Sequence, residues 1–447
     1  MGKLFGTDGI RGKAYQYPIT SEMAVQIGKA VAVFFKKENT RTRILIANDS
    51  RISAEMLETG LAAGICAMGA DAAFCGLLPT PGVAWLAVAE NADAGISVSA
   101  SHNPYDDNGI KIFKGDGFKL SAQEEAQIET LILKDKGLTS PTVAETGRIH
   151  RLNDPGNRYR EFLASTVALS SLKGMKIVID CANGATSRIA PQLFADLGAE
   201  VKVLFNSPNG KNINDGCGSE HPLQLKQQVI ENNANIGIGF DGDGDRLIVV
   251  DEGGGILSGD EVLAIFAGFM SQKETLKKKP VVSTVMSNIG LGIALREMGI
   301  RHIMTDVGDR HVMEKMKAHG AVLGGENSGH MIFLDYHTTG DGMLSALQLI
   351  RIMRSNRKPV SELKKIMTLF PQTLMNVEVK QKPDLNALPG IQKAIQSVQN
   401  KLREKGRVLV RYSGTQPLCR VMVEGPTRDE TDDHCRHIAE CIKAALG

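Results

Sequence analysis

The 447-residue sequence lacks an excess of charge of either sign: 52 lysines and arginines stand against 50 aspartates and glutamates, a formal net charge of +2. Nucleic-acid binders draw most of their affinity from neutralising phosphates and usually carry a basic surplus. Near-neutrality therefore argues against a nucleic-acid partner. The chain also lacks any C-x-x-C pair. Its seven cysteines are scattered and odd in number, so at least one thiol stays outside any intramolecular bridge, and a reducing compartment is the simplest setting. No apolar run is long enough to span a bilayer; the most apolar stretch, 61–89, is broken by Asp71, Pro79 and Pro81. The opening residues have no apolar signal-peptide core. These absences predict a soluble, cytoplasmic protein with no membrane partner. Disorder is excluded as well, because 42% hydrophobic and 23% charged residues are ordinary for a globular chain.

What is present is length and internal repetition. At roughly 150 residues per domain the chain has room for about three domains, or four smaller ones. Three apolar, β-branched runs resemble one another: Ile44 to Asn48, Ile177 to Cys181 and Val281 to Val285. Each reads as a buried strand followed by a helical pattern. Each of those helices stops at a similar glycine, Gly69, Gly198 or Gly299, the residue that takes a left-handed conformation most readily. A second strand follows in each unit, and then a third that runs into a dense polar loop. Those loops are Ala100-Ser101-His102-Asn103-Pro104, Asp241-Gly242-Asp243-Gly244-Asp245-Arg246 and Gly325-Glu326-Asn327-Ser328-Gly329-His330. Open α/β sheets bind ligands at the carboxyl ends of their strands, so three equivalent loops predict one shared cleft. The tail differs. Strands near 376–379, 407–411 and 418–424, with helices near 391–402 and 430–445, suggest a smaller α+β domain.

The aspartate loop carries the strongest chemical signal. Three carboxylates at alternate positions project together if the segment continues an extended strand, and a divalent cation such as Mg²⁺ would offset their repulsion. Two decoys overlap it. The spacing of Asp241, Asp243, Asp245 and Glu252 matches an EF-hand, but Arg246 occupies the obligatory glycine position and strands flank the segment. Gly237, Gly239 and Gly242 spell G-x-G-x-x-G, but a strand follows where that fingerprint opens a helix. Ser101 sits at a strand end where a serine can carry a phosphoryl group, given a nearby metal and base. Capped turn is the plainer reading of Ser101-His102. Lys111 lies on the face of its strand opposite Ile110 and Ile112; a solvated lysine and a phosphate-binding or proton-transfer lysine are comparable readings. Arg411-Tyr412-Ser413-Gly414-Thr415-Gln416-Pro417, with Arg420 beyond, combines hydroxyls, a flexible glycine and two guanidinium forks suited to phosphate. Arg11, in the glycine-rich opening loop, can reach an anion.

Together, in this order, these four loops resemble the phosphoserine, metal, sugar-binding and phosphate-binding loops of the α-D-phosphohexomutases. Within that superfamily the chain looks most like the bacterial phosphoglucosamine mutases, and the resemblance covers essentially the whole sequence. It implies an α/β fold of three related domains from an internal repeat plus a C-terminal α+β domain around a central cleft. The expected divisions are 1–150 (phosphoserine loop), 151–257 (metal), 258–370 (sugar) and 371–447 (phosphate). The resemblance further implies interconversion of glucosamine 6-phosphate and glucosamine 1-phosphate through a phosphoserine enzyme and a sugar bisphosphate, feeding amino-sugar and cell-wall synthesis. Ser101 would carry the covalent phosphoryl group. One Mg²⁺ per subunit would be held by Asp241, Asp243, Asp245 and the Ser101 phosphate, with the bisphosphate as activator. Lys111, His330 and Arg11 would serve catalysis. His102, Arg246, Glu326, Asn327, Ser328, Arg411, Ser413, Gly414, Thr415 and Arg420 would bind the phosphosugar. A homodimer is compatible with this picture. Three positions depart from the family pattern: Gln416 replaces a glutamate, Tyr412 is an unusual neighbour, and Asn327 stands for glutamine. The rival readings are a phosphomannomutase/phosphoglucomutase and a catalytically silent sugar-phosphate sensor. A sensor could dispense with Ser101 or an aspartate, and this chain keeps both.

Overall fold

The computed structural model describes residues 4–6, 8–38, 40–134, 141–167, 172–276, 278–413 and 417–447. The chain divides into two compact units, one of residues 1–286 with 300–365, the other of 287–299 with 366–447.

The first unit holds three sheets that repeat one plan. In each, three parallel strands lie in the order third, first, second, and an antiparallel strand flanks the third. In the first sheet these are Ala94–Val98, Arg43–Asn48 and Asp71–Leu77, with Asp107–Lys114 antiparallel to Ala94–Val98. Ile236–Phe240, Lys176–Asp180 and Glu200–Leu204 follow the plan, flanked by Leu247–Asp251. So do Leu323–Gly325, Val281–Thr284 and His302–Thr305, flanked by Met331–Phe333. The three helix-stop glycines all have positive φ: +84° at Gly69, +96° at Gly198 and +70° at Gly299. The sequence expectation of a threefold α/β repeat therefore holds at the level of register. Strands Ala94–Val98 and Ile236–Phe240 are buried at every position, which explains their unbroken apolar character.

The plan puts each polar loop in the same place, between the third strand and its antiparallel partner. Backbone hydrogen bonds join the three repeats near those loops. Thr80 N–H donates to the Asp243 carbonyl at 2.9 Å, Leu247 N–H to Gly329 at 3.0 Å, and Gly342 N–H to Gly244 at 3.0 Å. Helix Gly342–Asn356 starts there, its N-terminus capped by Asp341, whose carboxylate also accepts from the Tyr159 hydroxyl.

The second unit contains an antiparallel sheet ordered Gln372–Glu378, Leu418–Glu424, Arg407–Tyr412. Helices Pro389–Leu402 and Arg428–Leu446 bury Ile391, Val398, Cys435, Ile438 and Ile442 with Val377, Val421 and Val423. Helix Ile289–Glu297 belongs to this unit. Asn288 donates to the Phe370 carbonyl at 2.9 Å and accepts from its N–H at 3.1 Å, while Ile289 N–H reaches Glu424 at 3.2 Å. All seven cysteines are unbridged. Among the described residues no helix is long and apolar enough to cross a membrane.

One contact between repeats is set by a single imidazole. His337 Nδ1 accepts from Thr338 N–H at 2.7 Å, so the proton sits on Nε2, which donates to the Pro81 carbonyl at 2.9 Å. Burial pushes its pKa down to about 4, against a weaker upward pull from the Pro81 bond. The unfolded chain takes up that proton first, so this contribution to stability is full above about pH 6.5 and is lost as pH falls toward 4. His337→Gln should accordingly lower the melting temperature most at pH 7.5, and the gap to wild type should narrow steadily in melts down to pH 4.5. A gap constant across that range would refute the neutral-imidazole assignment.

Candidate active site

Ser101 follows strand Ala94–Val98 and is almost fully buried, with a left-handed φ of +55°. That turn aims its Oγ at the second repeat, 2.5 Å from Asp241 Oδ2. The His102 Nδ1 lies 3.4 Å from the same Oγ. Burial and the nearby Arg246 and Arg11 push the His102 pKa down to about 4 despite Glu220, so its ring is neutral at pH 7.

The aspartate loop departs from the expected geometry. It does not extend the strand, which ends at Phe240; Gly242 and Asp243 form a turn closed by a 3.1 Å bond from Gly244 N–H to the Asp241 carbonyl. Gly244, at φ +74°, supplies the left-handed step. The turn, not strand alternation, brings the three carboxylates together, with ligand atoms within 4.8 Å of one another. All three are buried, and Asp243 Oδ1 and Asp245 Oδ1 have no hydrogen-bond partner among the described residues. Burial pushes the Asp241 carboxyl well up, and Asp245 and Asp243 push it further. Burial would raise Asp245 as well, but Lys111 and His330 hold it well below its ordinary range. The unbonded buried oxygens of Asp243 and Asp245 fit a hard divalent cation.

Lys111 is no solvated strand lysine. Its buried Nζ lies 2.7 Å from Asp243 Oδ2, 3.0 Å from Asp8 Oδ2 and 3.3 Å from Asp245 Oδ2. Burial alone would lower its pKa, but the three carboxylates outweigh it and hold the ammonium charged. Burial opposes the charge of His330 too, yet Asp245, Asp309 and Glu326 raise its pKa to about 9. Its Nδ1 is 3.7 Å from Asp245 Oδ1. Both groups therefore stand as cations beside the carboxylates. Arg11 pairs with Asp8, and Arg246 reaches Glu220 at 3.3 Å and Asp241 at 4.0 Å.

The third loop is a tight turn between Leu323–Gly325 and Met331–Phe333, closed by Gly329 N–H on the Glu326 carbonyl at 3.0 Å. A Cβ on Gly329 would stand 2.1 Å from the Leu247 carbonyl, so only glycine lets this turn sit against the second repeat. Glu326 Oε1 accepts from Gly308 N–H at 3.1 Å. A cavity of about 240 Å³ opens where the loops meet, lined by Ser101 and Asp245 with Arg11, Arg246 and His330, and by Glu326, Asn327 and Ser328.

The structure thus brings together the expected residues of all three repeats. In the other unit, Arg411 stands directly opposite Arg420 in the sheet. Ser413 N–H donates to the Leu418 carbonyl at 2.8 Å, and its own carbonyl accepts from Lys382 at 2.6 Å. Gly414, Thr415 and Gln416 lie outside the described residues. The sequence reading missed four contributors. Thr80 Oγ1 donates to Asp243 Oδ2 at 2.6 Å, and Asp8, Lys119 and Asp309 form a run of ion pairs from Lys111 to the wall of the cavity. Asp8 sits three residues from Arg11, a usable hint; the others carry no local signature.

Four family models match the chain: phosphoglucomutase/phosphomannomutase alpha/beta/alpha domain I over residues 2–138, domain II over 157–254, domain III over 258–370, and the C-terminal domain over 374–440. The chain is 54% identical to the phosphoglucosamine mutase of Syntrophus aciditrophicus and 53% identical to that of Syntrophobacter fumaroxidans, each alignment covering 100% of both chains. Among solved structures, a phosphoglucomutase/phosphomannomutase family protein from Burkholderia thailandensis superposes with a TM-score of 0.81 at 25% identity, covering 98% of this chain and 97% of that one. The N-acetylphosphoglucosamine mutase of Aspergillus fumigatus, solved with GlcNAc-6P and magnesium, shares the fold with a TM-score of 0.70 at 19% identity, covering 100% of this chain and 96% of that one. The chain belongs to the phosphohexomutases, in the phosphoglucosamine mutase family.

If the buried carboxylates hold Mg²⁺, Asp243→Asn should weaken Mg²⁺ binding about tenfold or more in calorimetric titration. Gly242→Ala should do the same without changing a charge, because the new Cβ would stand 2.6 Å from the Ser101 carbonyl and 2.8 Å from Asn214 Nδ2. Wild-type affinity in both variants would show that the metal lies elsewhere.

Proposed function

We propose that this chain interconverts glucosamine 6-phosphate and glucosamine 1-phosphate, with Ser101 as the phosphoryl carrier. The observation that carries the reading is the Ser101 hydroxyl resting on Asp241 of the acidic cluster, at the floor of a cavity walled by Arg11, Arg246 and His330. In the first half-reaction a sugar hydroxyl oxygen bonds to phosphorus as the bond from phosphorus to Ser101 Oγ breaks. The hydroxyl proton ends, in net balance, on Ser101. The resulting bisphosphate turns over and returns its other phosphoryl group by the same exchange in reverse. Phosphoryl transfer asks mainly for positioning and charge stabilisation. Arg11 and Arg246 supply guanidinium forks for phosphate oxygens, and Lys111 and His330 supply fixed positive charge beside them. One Mg²⁺, held by Asp241, Asp243, Asp245 and an oxygen on Ser101, would add charge neutralisation at the transferring group. A sugar bisphosphate would recharge Ser101 when the phosphoryl group is lost.

The division of labour we assign is a phosphoserine loop in 1–150, metal ligands in 151–257, sugar contacts in 258–370 and a phosphate loop in 371–447. Glu326, Asn327 and Ser328 are assigned to the sugar, His102 to its phosphate end, and Arg411, Ser413, Gly414, Thr415 and Arg420 to the phosphate that is not in transit. The cross-strand placement of Arg411 and Arg420 at one register position supports that last role. Relatives named for glucosamine phosphate support the amino sugar. Its C2 ammonium would meet Glu326, which lines the cavity.

Side-by-side kinetics with glucosamine, glucose and mannose 6-phosphates, after priming with a sugar bisphosphate, test the substrate. The highest kcat/KM should fall to glucosamine 6-phosphate, with residual glucose 6-phosphate turnover, since one polar contact often discriminates modestly. A preference for mannose 6-phosphate would overturn the amino-sugar assignment. Ser101→Ala should lose nearly all turnover and remain folded; an active alanine variant would refute the phosphoserine.

A further inference from the structure

We propose that Asn214, acting with Arg51, is a positioning residue that clamps the phosphoserine loop by its backbone carbonyls. The inference rests on Ser101 being the phosphoryl carrier. A serine at φ +55° is an unfavourable conformation that the surroundings must impose. Two side chains impose it here. Arg51 Nη2 donates to the carbonyls of Ser101 and Asn103, both at 2.9 Å. Asn214 Nδ2 donates to the same two carbonyls, at 2.9 and 3.0 Å. The second amine of Arg51 reaches the carbonyls of Pro104 and Asp107.

The clamp is closed from behind. Arg51 Nε donates to Asp49 Oδ2 at 2.9 Å, Asp49 also accepts from the Ser99 hydroxyl, and Ser99 Oγ accepts from the Ser101 N–H at 2.9 Å. Arg51 is fully buried, so its guanidinium has no use except these partners. Neither Arg51 nor Asn214 lines the cavity.

Two features make this more than local packing. First, Arg51 follows the first strand of the first repeat, whereas Asn214 comes from the second repeat, where its own N–H is tied to the Ala182 carbonyl at 2.9 Å. The grip is complete only when both repeats are in place, and Gly242 of the aspartate loop packs directly against the Ser101 carbonyl and the Asn214 amide. Second, every bond of the clamp to the loop goes to main-chain atoms. The Ser101 Oγ is left out of it, so the loop can stay fixed while that oxygen alternates between hydroxyl and phosphate ester.

Asn214 is half-buried and sits in a loop at φ +58°, which aspartate tolerates as well as asparagine does. Asn214→Asp keeps the shape but sets a carboxylate against two carbonyls; Asn214→Ser is the second variant should that one fold poorly. Hydrogen exchange of the peptide spanning 99–107 should accelerate about tenfold and the rest of the chain should not. In the same protein, kcat should fall tenfold or more while KM for the phosphosugar changes much less, because among the assigned phosphosugar contacts only His102 lies on this loop. Turnover within twofold of wild type would overturn the clamp, as would lost turnover with unchanged exchange at 99–107 or a loss of KM matching that of kcat. A wild-type protein that turns over no phosphosugar would instead overturn the mutase reading on which the clamp depends.

Discussion

Three aspartates buried in one turn set the terms for everything around them. At an effective dielectric near 20, two like charges 4 Å apart repel by about 4 kcal/mol, so such a cluster must be matched by cations that are themselves held in place. Lys111 touches two of the three carboxylates and Asp8 as well, and Asp8 and Asp309 then share Lys119. Charge alternates outward from the turn to the cavity wall. The Asp241 carboxyl still lies well above its ordinary range, pushed up first by burial and then by Asp245 and Asp243. A divalent ion and a phosphate would enter as parts of one balance, each making the other less costly to bury.

The repeat explains why this balance forms at a single place. Each sheet carries its functional loop between the third strand and the antiparallel partner, and in the first two repeats an aspartate lies at or just past the end of the first strand. In the first repeat it is Asp49, on which Arg51 and Ser99 converge. In the second it is Asp180, which accepts from the N–H groups of Ala182 and Gly218, both at 2.8 Å. Gly184, in the same segment as Ala182, lies so close to Gly242 that a Cβ would stand 2.2 Å from its carbonyl. An aspartate at or just past the end of the first strand is thus bonded in both repeats, Asp49 to the strand that leads into the serine loop and Asp180 to the segments at Ala182 and Gly218.

Much of this was legible in the sequence. The three strand–glycine–strand–loop units are visible because buried parallel strands demand continuous β-branched runs, and helix stops demand glycine. The serine, aspartate and Glu326–His330 loops announce themselves by their density of polar residues after such runs. The rest was hidden for a physical reason. Thr80, Lys119, Asp309, Arg51 and Asn214 act across long sequence separations, and nothing in their neighbours distinguishes them from surface residues. Lys111 shows the limit of pattern reading. Alternation placed it opposite Ile110 and Ile112, correctly, but could not tell that the opposite face meets carboxylates instead of water. The alternate spacing of the aspartates suggests a strand extension, whereas the chain turns at Gly242 and Asp243 with Gly244 in the left-handed region.

Helix Ile289–Glu297 lies in the third repeat by sequence and in the C-terminal unit by its contacts. A Cβ on Gly290 would stand 1.9 Å from the Thr368 carbonyl, and the Glu424 that receives the Ile289 N–H is fully buried and bonded to Arg407 at 2.5 Å. The backbone passes between the two units three times, at 286–287, 299–300 and 365–366. The C-terminal unit is therefore not a detachable module. A gene fragment ending near Pro371 would still encode Asn288 and the start of its helix, but would strip away Glu424 and the sheet that receives them. Exchange of the whole unit between related enzymes would need three junctions, and a transplant that moved the tail alone would leave helix Ile289–Glu297 behind.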